Sequence, residues 1–95
     1  MKGYWVCIYE KIHNPEKLKE YAVQAKAAID KYSGKFLVRR ETNRITEGVN
    51  SPRTVVVEFK DFTTAEACFD SKEYQQAHEI LKGHCIRNHV IVEGA

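Results

Sequence analysis

The chain has 95 residues and a net charge of +2 from 15 basic and 13 acidic side chains. With 43% hydrophobic and 29% charged residues, it reads as one globular domain with a thin core. Its balanced, dispersed charge excludes the clustered basic face of a nucleic-acid binder, and no apolar run approaches the ~18–20 residues that cross a bilayer. The densest basic group, Lys35, Arg39, Arg40 and Arg44, is interrupted by Phe36-Leu37-Val38. The N-terminus carries no signal-peptide pattern, and three cysteines without such a signal fit a reducing cytoplasm. Cys7 and Cys68 stand in apolar contexts and are expected as small core residues.

In chain order, YWVCIY (4–9) is aromatic and β-branched and predicts the first strand. Asn14-Pro15-Glu16 starts a helix: Asn14 is a good N-cap, Pro15 suits the first helical position, and Glu16 suits the positive end of the dipole. Leu18, Tyr21, Ala22, Ala25, Ile29 and Tyr32 recur at helical spacing and mark its buried stripe. Gly34 is expected to end it. FLVRR (36–40) opens a second strand, and TVVVEF (54–59) is a third. Thr63-Thr64-Ala65-Glu66 resembles a capping box, with Thr63 as cap of a short helix. Ser71 caps a second helical piece bearing Tyr74, Ala77, His78 and Leu81, and Gly83 stops it. HVIVEG (89–94) is the last strand.

The order βαββαβ is an α+β, ferredoxin-like arrangement: a four-stranded antiparallel sheet in the order 4-1-3-2, with helices over one face. The first and third strands alternate apolar residues on both sides, Trp5/Cys7/Tyr9 against Tyr4/Val6/Ile8 and Thr54/Val56/Glu58 against Val55/Val57/Phe59. The second face therefore needs a cover. A second copy of the chain is the simplest one, giving a homodimer with a barrel-like shared core. No nucleic-acid or membrane partner is expected.

The ordered set KGYW, N-P-E, Tyr32-x-Gly34-x-Phe36-Leu37, V-V-V-E-F, the run from Ser71 to Gln75 and V-I-V-E-G resembles the domain-of-unknown-function-1330 family (DUF1330), within the dimeric α+β barrel superfamily. The likeness spans nearly the whole chain. It implies a ferredoxin-like protomer and a dimer, and no settled reaction. The wider superfamily includes cofactor-free monooxygenases, lactone isomerases, haem enzymes and ligand-binding modules.

The residues themselves nominate a site. Glu58 puts a charge in an apolar central strand and must have a partner, reach water or hold a proton. Lys35, Arg39 or Arg40 would make it a structural ion pair; a pocket setting would make it a base or polar anchor. His78 shares a helical face with Tyr74 and Leu81 and is the candidate to meet Glu58 as an acid–base pair. Trp5, Tyr32, Tyr74 and Arg39 are candidates to line a pocket between the sheet and the second helical region, for a small aromatic or carboxylate-bearing metabolite. His84-Cys85-x-x-x-His89 lacks the ligand number and spacing of a zinc site, and no phosphate loop or nucleophile motif is present. No cofactor and no metal are expected. Any chemistry would be cofactor-independent proton transfer or monooxygenase-like. The alternative is a non-catalytic dimeric binding or structural module.

Overall fold

The computed structural model covers residues 1–95. It runs β1 (Gly3–Ile12), α1 (Pro15–Lys31), β2 (Lys35–Val38), β3 (Arg53–Phe59), α2 (Phe62–Asp70), α3 (Lys72–Leu81) and β4 (Cys85–Glu93). The strands form one antiparallel sheet in the order β2-β3-β1-β4. This is the expected ferredoxin-like order, with β1 and β3 central. No helix is long and apolar enough to cross a membrane.

Local chemistry sets most of the boundaries. The Asn14 side chain accepts from the Lys17 amide, and Pro15 occupies the first turn of α1. The Ser71 hydroxyl oxygen accepts from the Tyr74 amide and starts α3. Gly83, at φ +81°, lies just past the end of α3 in the left-handed region. Two expected caps differ. Asp61, not Thr63, caps α2 by accepting from the Thr64 amide, because Phe62 already has helical geometry. At the end of α1, Ser33 takes the positive φ of 57°. Gly34 serves a different need: a Cβ there would lie 2.6 Å from the Ile29 side chain and 2.8 Å from the Phe59 ring.

The expected last strand, 89–94, is longer and begins at Cys85. Its pairing with β1 runs from Gly3↔Glu93 through Cys7↔His89 and Tyr9↔Arg87 to Ile12↔Cys85. Arg87, His89 and Ile91 therefore face the helices beside Tyr9, Cys7 and Trp5. The core gathers Trp5, Cys7, Tyr9, Val57 and Phe59 from the sheet with Tyr21, Ala25, Ala28 and Ile29 of α1 and Ala65, Cys68, Tyr74, Ala77 and Leu81 of α2 and α3. The Trp5 indole N–H donates to the Ala65 carbonyl at 2.9 Å, so its one polar atom is satisfied inside that core. The opposite sheet face carries Ile8 and Val90, 42% and 49% exposed, with Val92 and Ile86 beside them. That apolar face has no cover within one chain.

Candidate functional site

α1 packs chiefly on α3, while α2 lies directly on β1, β3 and β4. The space between α1 and the sheet is thus filled by side chains alone, and small residues on the helix leave part of it empty. The result is a cavity of about 70 Å³. Leu18, Tyr21, Ala22, Ala25 and Ile29 form its helical wall. The sheet supplies the opposite wall in cross-strand rows: Val57 beside Trp5, then Val55, Cys7 and His89, then Arg53, Tyr9 and Arg87. Phe36 and Arg39 complete it. One end is apolar, the other carries Arg53 and Arg87, and Arg39 is a third arginine in the lining.

Arg87 is the unusual member. Its Nη1 donates to the Tyr9 hydroxyl at 3.1 Å and the Tyr21 hydroxyl at 3.2 Å, and approaches the Cys7 sulfur at 3.6 Å. Its Nη2 donates to the Tyr74 hydroxyl at 3.3 Å. The guanidinium carbon also lies 5.0 Å from the Tyr21 ring centroid and 5.5 Å from that of Tyr9. No carboxylate pairs with it; the ion pairs of the chain involve Lys17, Lys26, Lys31, Arg53 and Lys82. Burial opposes its charge, and the coulombic pull of Tyr21, Tyr74, Tyr9 and Cys7 that raises its pKa acts only where those groups ionise. Burial raises the Tyr9 and Tyr74 phenols despite the pull of Arg87, so they stay protonated at neutral pH. Arg87 is therefore a largely buried cation held by neutral dipoles alone.

The other arginines differ. Arg53 is 3.3 Å from Glu41 and locally compensated. Arg39 stacks its guanidinium 4.6 Å over the Phe36 ring, exposed and without an acidic partner. His89 sits among the rings of Trp5, Phe69 and Tyr74, with centroids 5.1, 5.4 and 6.4 Å away. Burial, then the charge of Arg87, pushes its pKa down to about 4, so its imidazole is neutral at pH 7.

The expected site residues fall in different places. Trp5 and Arg39 line the cavity. Tyr74 stands behind it, holding Arg87. Tyr32 does not reach it and borders a shallow surface depression with Lys31, Ser33 and Lys60. The mostly apolar cavity lies between α1 and the sheet, and an open groove lies beside it between α3 and β4, on the side of the second helical region. Glu58 and His78 are not brought together. Glu58 shares the outer sheet face with Tyr4, whose hydroxyl donates to Glu58 Oε2 at 3.1 Å. Lys35 is its register partner on β2, but no ion pair joins them, nor does Arg39 or Arg40 pair with it. The Glu58 hydrogen bond raises the Tyr4 phenol. His78 lies on the helical side of the sheet, near Phe69 and Tyr74, and borders an open groove between α3 and β4. No group of three or more His, Cys, Asp or Glu side chains is arranged to hold a metal ion.

The architecture is that of ferredoxin-like α+β proteins. The chain belongs to the DUF1330 family, whose model, described as a domain of unknown function, matches residues 2–95. Among solved structures it is similar to a protein of unknown function from Rhodopseudomonas palustris, at TM-score 0.78 and 8% identity over 99% of this chain and 82% of that one. It is also similar to a dimeric ferredoxin-like protein of unknown function from Jannaschia sp. CCS1, at TM-score 0.74 and 14% identity over 99% of this chain and 100% of that one. SnoaB, a cofactor-independent oxygenase from Streptomyces nogalater, is similar at TM-score 0.71 and 10% identity over 99% of this chain and 93% of that one. At these identities the likeness is one of fold. No curated protein matches the chain.

Proposed function

We propose that the protein is a homodimer that binds a small organic acid with an apolar body in the cavity between α1 and the sheet of each protomer. The observation that carries this reading is Arg87: a largely buried guanidinium on the wall of an apolar cavity, with hydroxyl neighbours and no carboxylate. Burying an unpaired cation is costly, and a ligand carboxylate supplies the missing charge in bidentate geometry. The apolar body would lie along Trp5, Val55, Val57 and Ile29. Arg39 adds a second uncompensated cation at an exposed position and favours entry of an anion.

Dimerisation is supported by the bare apolar sheet face with Ile8, Val90 and Val92 and by the dimeric description of the Jannaschia protein. The acid-binding reading is tested by calorimetric titration of phenylacetate into wild type and Arg87→Gln. Binding to the wild type that weakens at least about 30-fold in the variant supports it, on the scale of a buried charge pair losing one partner. Equal affinities sink it.

A second reading is cofactor-independent proton transfer or oxygenation. It is favoured by the neutral imidazole of His89 next to the Arg87 charge and by the fold shared with SnoaB. It requires deuterium uptake into the methylene of phenylpyruvate in D2O faster than buffer alone, and slower again in His89→Phe.

A further inference from the structure

We propose that His89 makes the cavity selective for acids that carry an oxygen, as hydroxyl or carbonyl, on the carbon next to the carboxylate. This rests on the acid-binding reading of Arg87. The two residues are alternate positions of β4, on one face, with Cα atoms about 6.6 Å apart. Both border the cavity. Arg87 Nη1 and Nη2 donate to protein hydroxyls and Nε has no protein acceptor, whereas His89 has aromatic neighbours and no hydrogen-bond partner from the protein. Neither imidazole nitrogen is sealed from the surrounding space, since no buried side-chain nitrogen or oxygen lacks a partner.

An imidazole in that position has one N–H to donate and one nitrogen to accept. Neutral at pH 7, it can donate to a carbonyl oxygen or exchange a hydrogen bond with a hydroxyl, and it gains nothing from a methylene. A carboxylate held by Arg87 has its neighbouring carbon one bond away, and with His89 two residues along the same strand face and lining the same cavity, an oxygen on that carbon is the group its imidazole would bond. The ligand class is therefore 2-hydroxy and 2-oxo acids with an apolar remainder.

Three probes separate this inference from the reading beneath it: phenylacetate, mandelate and benzoylformate, which differ only at the carbon beside the carboxylate. Calorimetric titrations at pH 7.5 are made with wild type, His89→Phe and His89→Gln. Mandelate and benzoylformate are expected to bind the wild type about tenfold more tightly than phenylacetate, the scale of one hydrogen bond in a desolvated site. His89→Phe should level the three acids, so that the ratio of mandelate or benzoylformate affinity to phenylacetate affinity falls to about one. His89→Gln, which keeps a neutral donor and acceptor, should retain part of the preference, and it carries the test if the phenylalanine variant fails to fold. Equal binding of all three acids to the wild type overturns the inference but leaves Arg87 as an acid anchor, as does a preference that survives in His89→Phe. If no acid binds, the reading of Arg87 falls with it.

Discussion

The Tyr74 hydroxyl is 3.3 Å from Arg87 Nη2 and 2.8 Å from the Tyr21 hydroxyl. One residue from α3, one from α1 and one from β4 thus close a polar cluster inside the core. Tyr9 joins it through Arg87 from the central strand. The cluster ties α1, which stands off the sheet, to the strands below. It also holds the guanidinium in place before any ligand arrives, so little ordering is required on binding.

Removing the Tyr74 hydroxyl should therefore cost stability first and binding second. Tyr74→Phe deletes a fully buried hydroxyl that serves both Tyr21 and Arg87. The expected loss is about 1–2 kcal/mol, or a Tm lowered by roughly 4–15 °C in a domain of this size. Urea unfolding and a thermal melt check it. A Tm equal to wild type would show that the hydroxyl pair contributes nothing net.

Arg87 should behave in the opposite way. In the empty protein its charge is buried without a counterion, and an apolar replacement of similar length removes that cost. Arg87→Met is expected to melt no more than about 4 °C below wild type, equivalent to under ~1 kcal/mol, while losing phenylacetate binding. A melt far below that would make Arg87 architecture, with the tyrosine ring as its reason for being there.

Glu58 belongs to the other side of the sheet. Its hydrogen bond to Tyr4 lies on the apolar face where a second copy is proposed to pack, and the cavity is on the reverse side. Glu58→Gln should leave phenylacetate affinity unchanged. Ile8→Glu, which adds a charge to the same face, should shift light scattering from about twice the 11.0 kDa chain mass towards that of one chain. A variant that stays dimeric places the interface elsewhere.

The strands, helices and sheet order were legible because period-2 and period-3.6 patterns survive in a short chain with few insertions. The apolar alternation on both faces of β1 and β3 was legible too. The site was not. Glu58 is the one charge in the apolar run TVVVEF, yet it faces the outer side of the sheet with Tyr4. The pattern HVIVEG alone starts the last strand at His89 and places Arg87 outside it. The signal was there in CIRNHVIV: Arg87, His89 and Ile91 alternate with Ile86, Asn88, Val90 and Val92. Carrying that alternation two residues upstream would have put a cation on the helix-covered face. The standoff of α1 has no comparable signature, since it depends on the tertiary packing of α1 on α3.

His89 gives the acid limb of the stability profile. Its pKa is about 4 in the fold against an ordinary value of 6.5, set by burial and then by Arg87 and His78. Above 6.5 both folded and unfolded chains hold it neutral, and it gives no pH dependence. As pH falls from 6.5 towards 4 only the unfolded chain takes up the proton, so the fold loses stability, and below 4 the loss levels off. The gap between the two values corresponds to about 3 kcal/mol at most. His78, lowered by partial burial and Arg87, adds a change of the same sign. Urea unfolding at pH 7.5 and pH 4.5 should therefore show a smaller pH-dependent loss in His89→Gln than in wild type, with His78 unaltered in both. Equal losses would mean that His89 is solvated and titrates near its ordinary value, and that its imidazole is charged, not neutral, when the surrounding pH falls below 6.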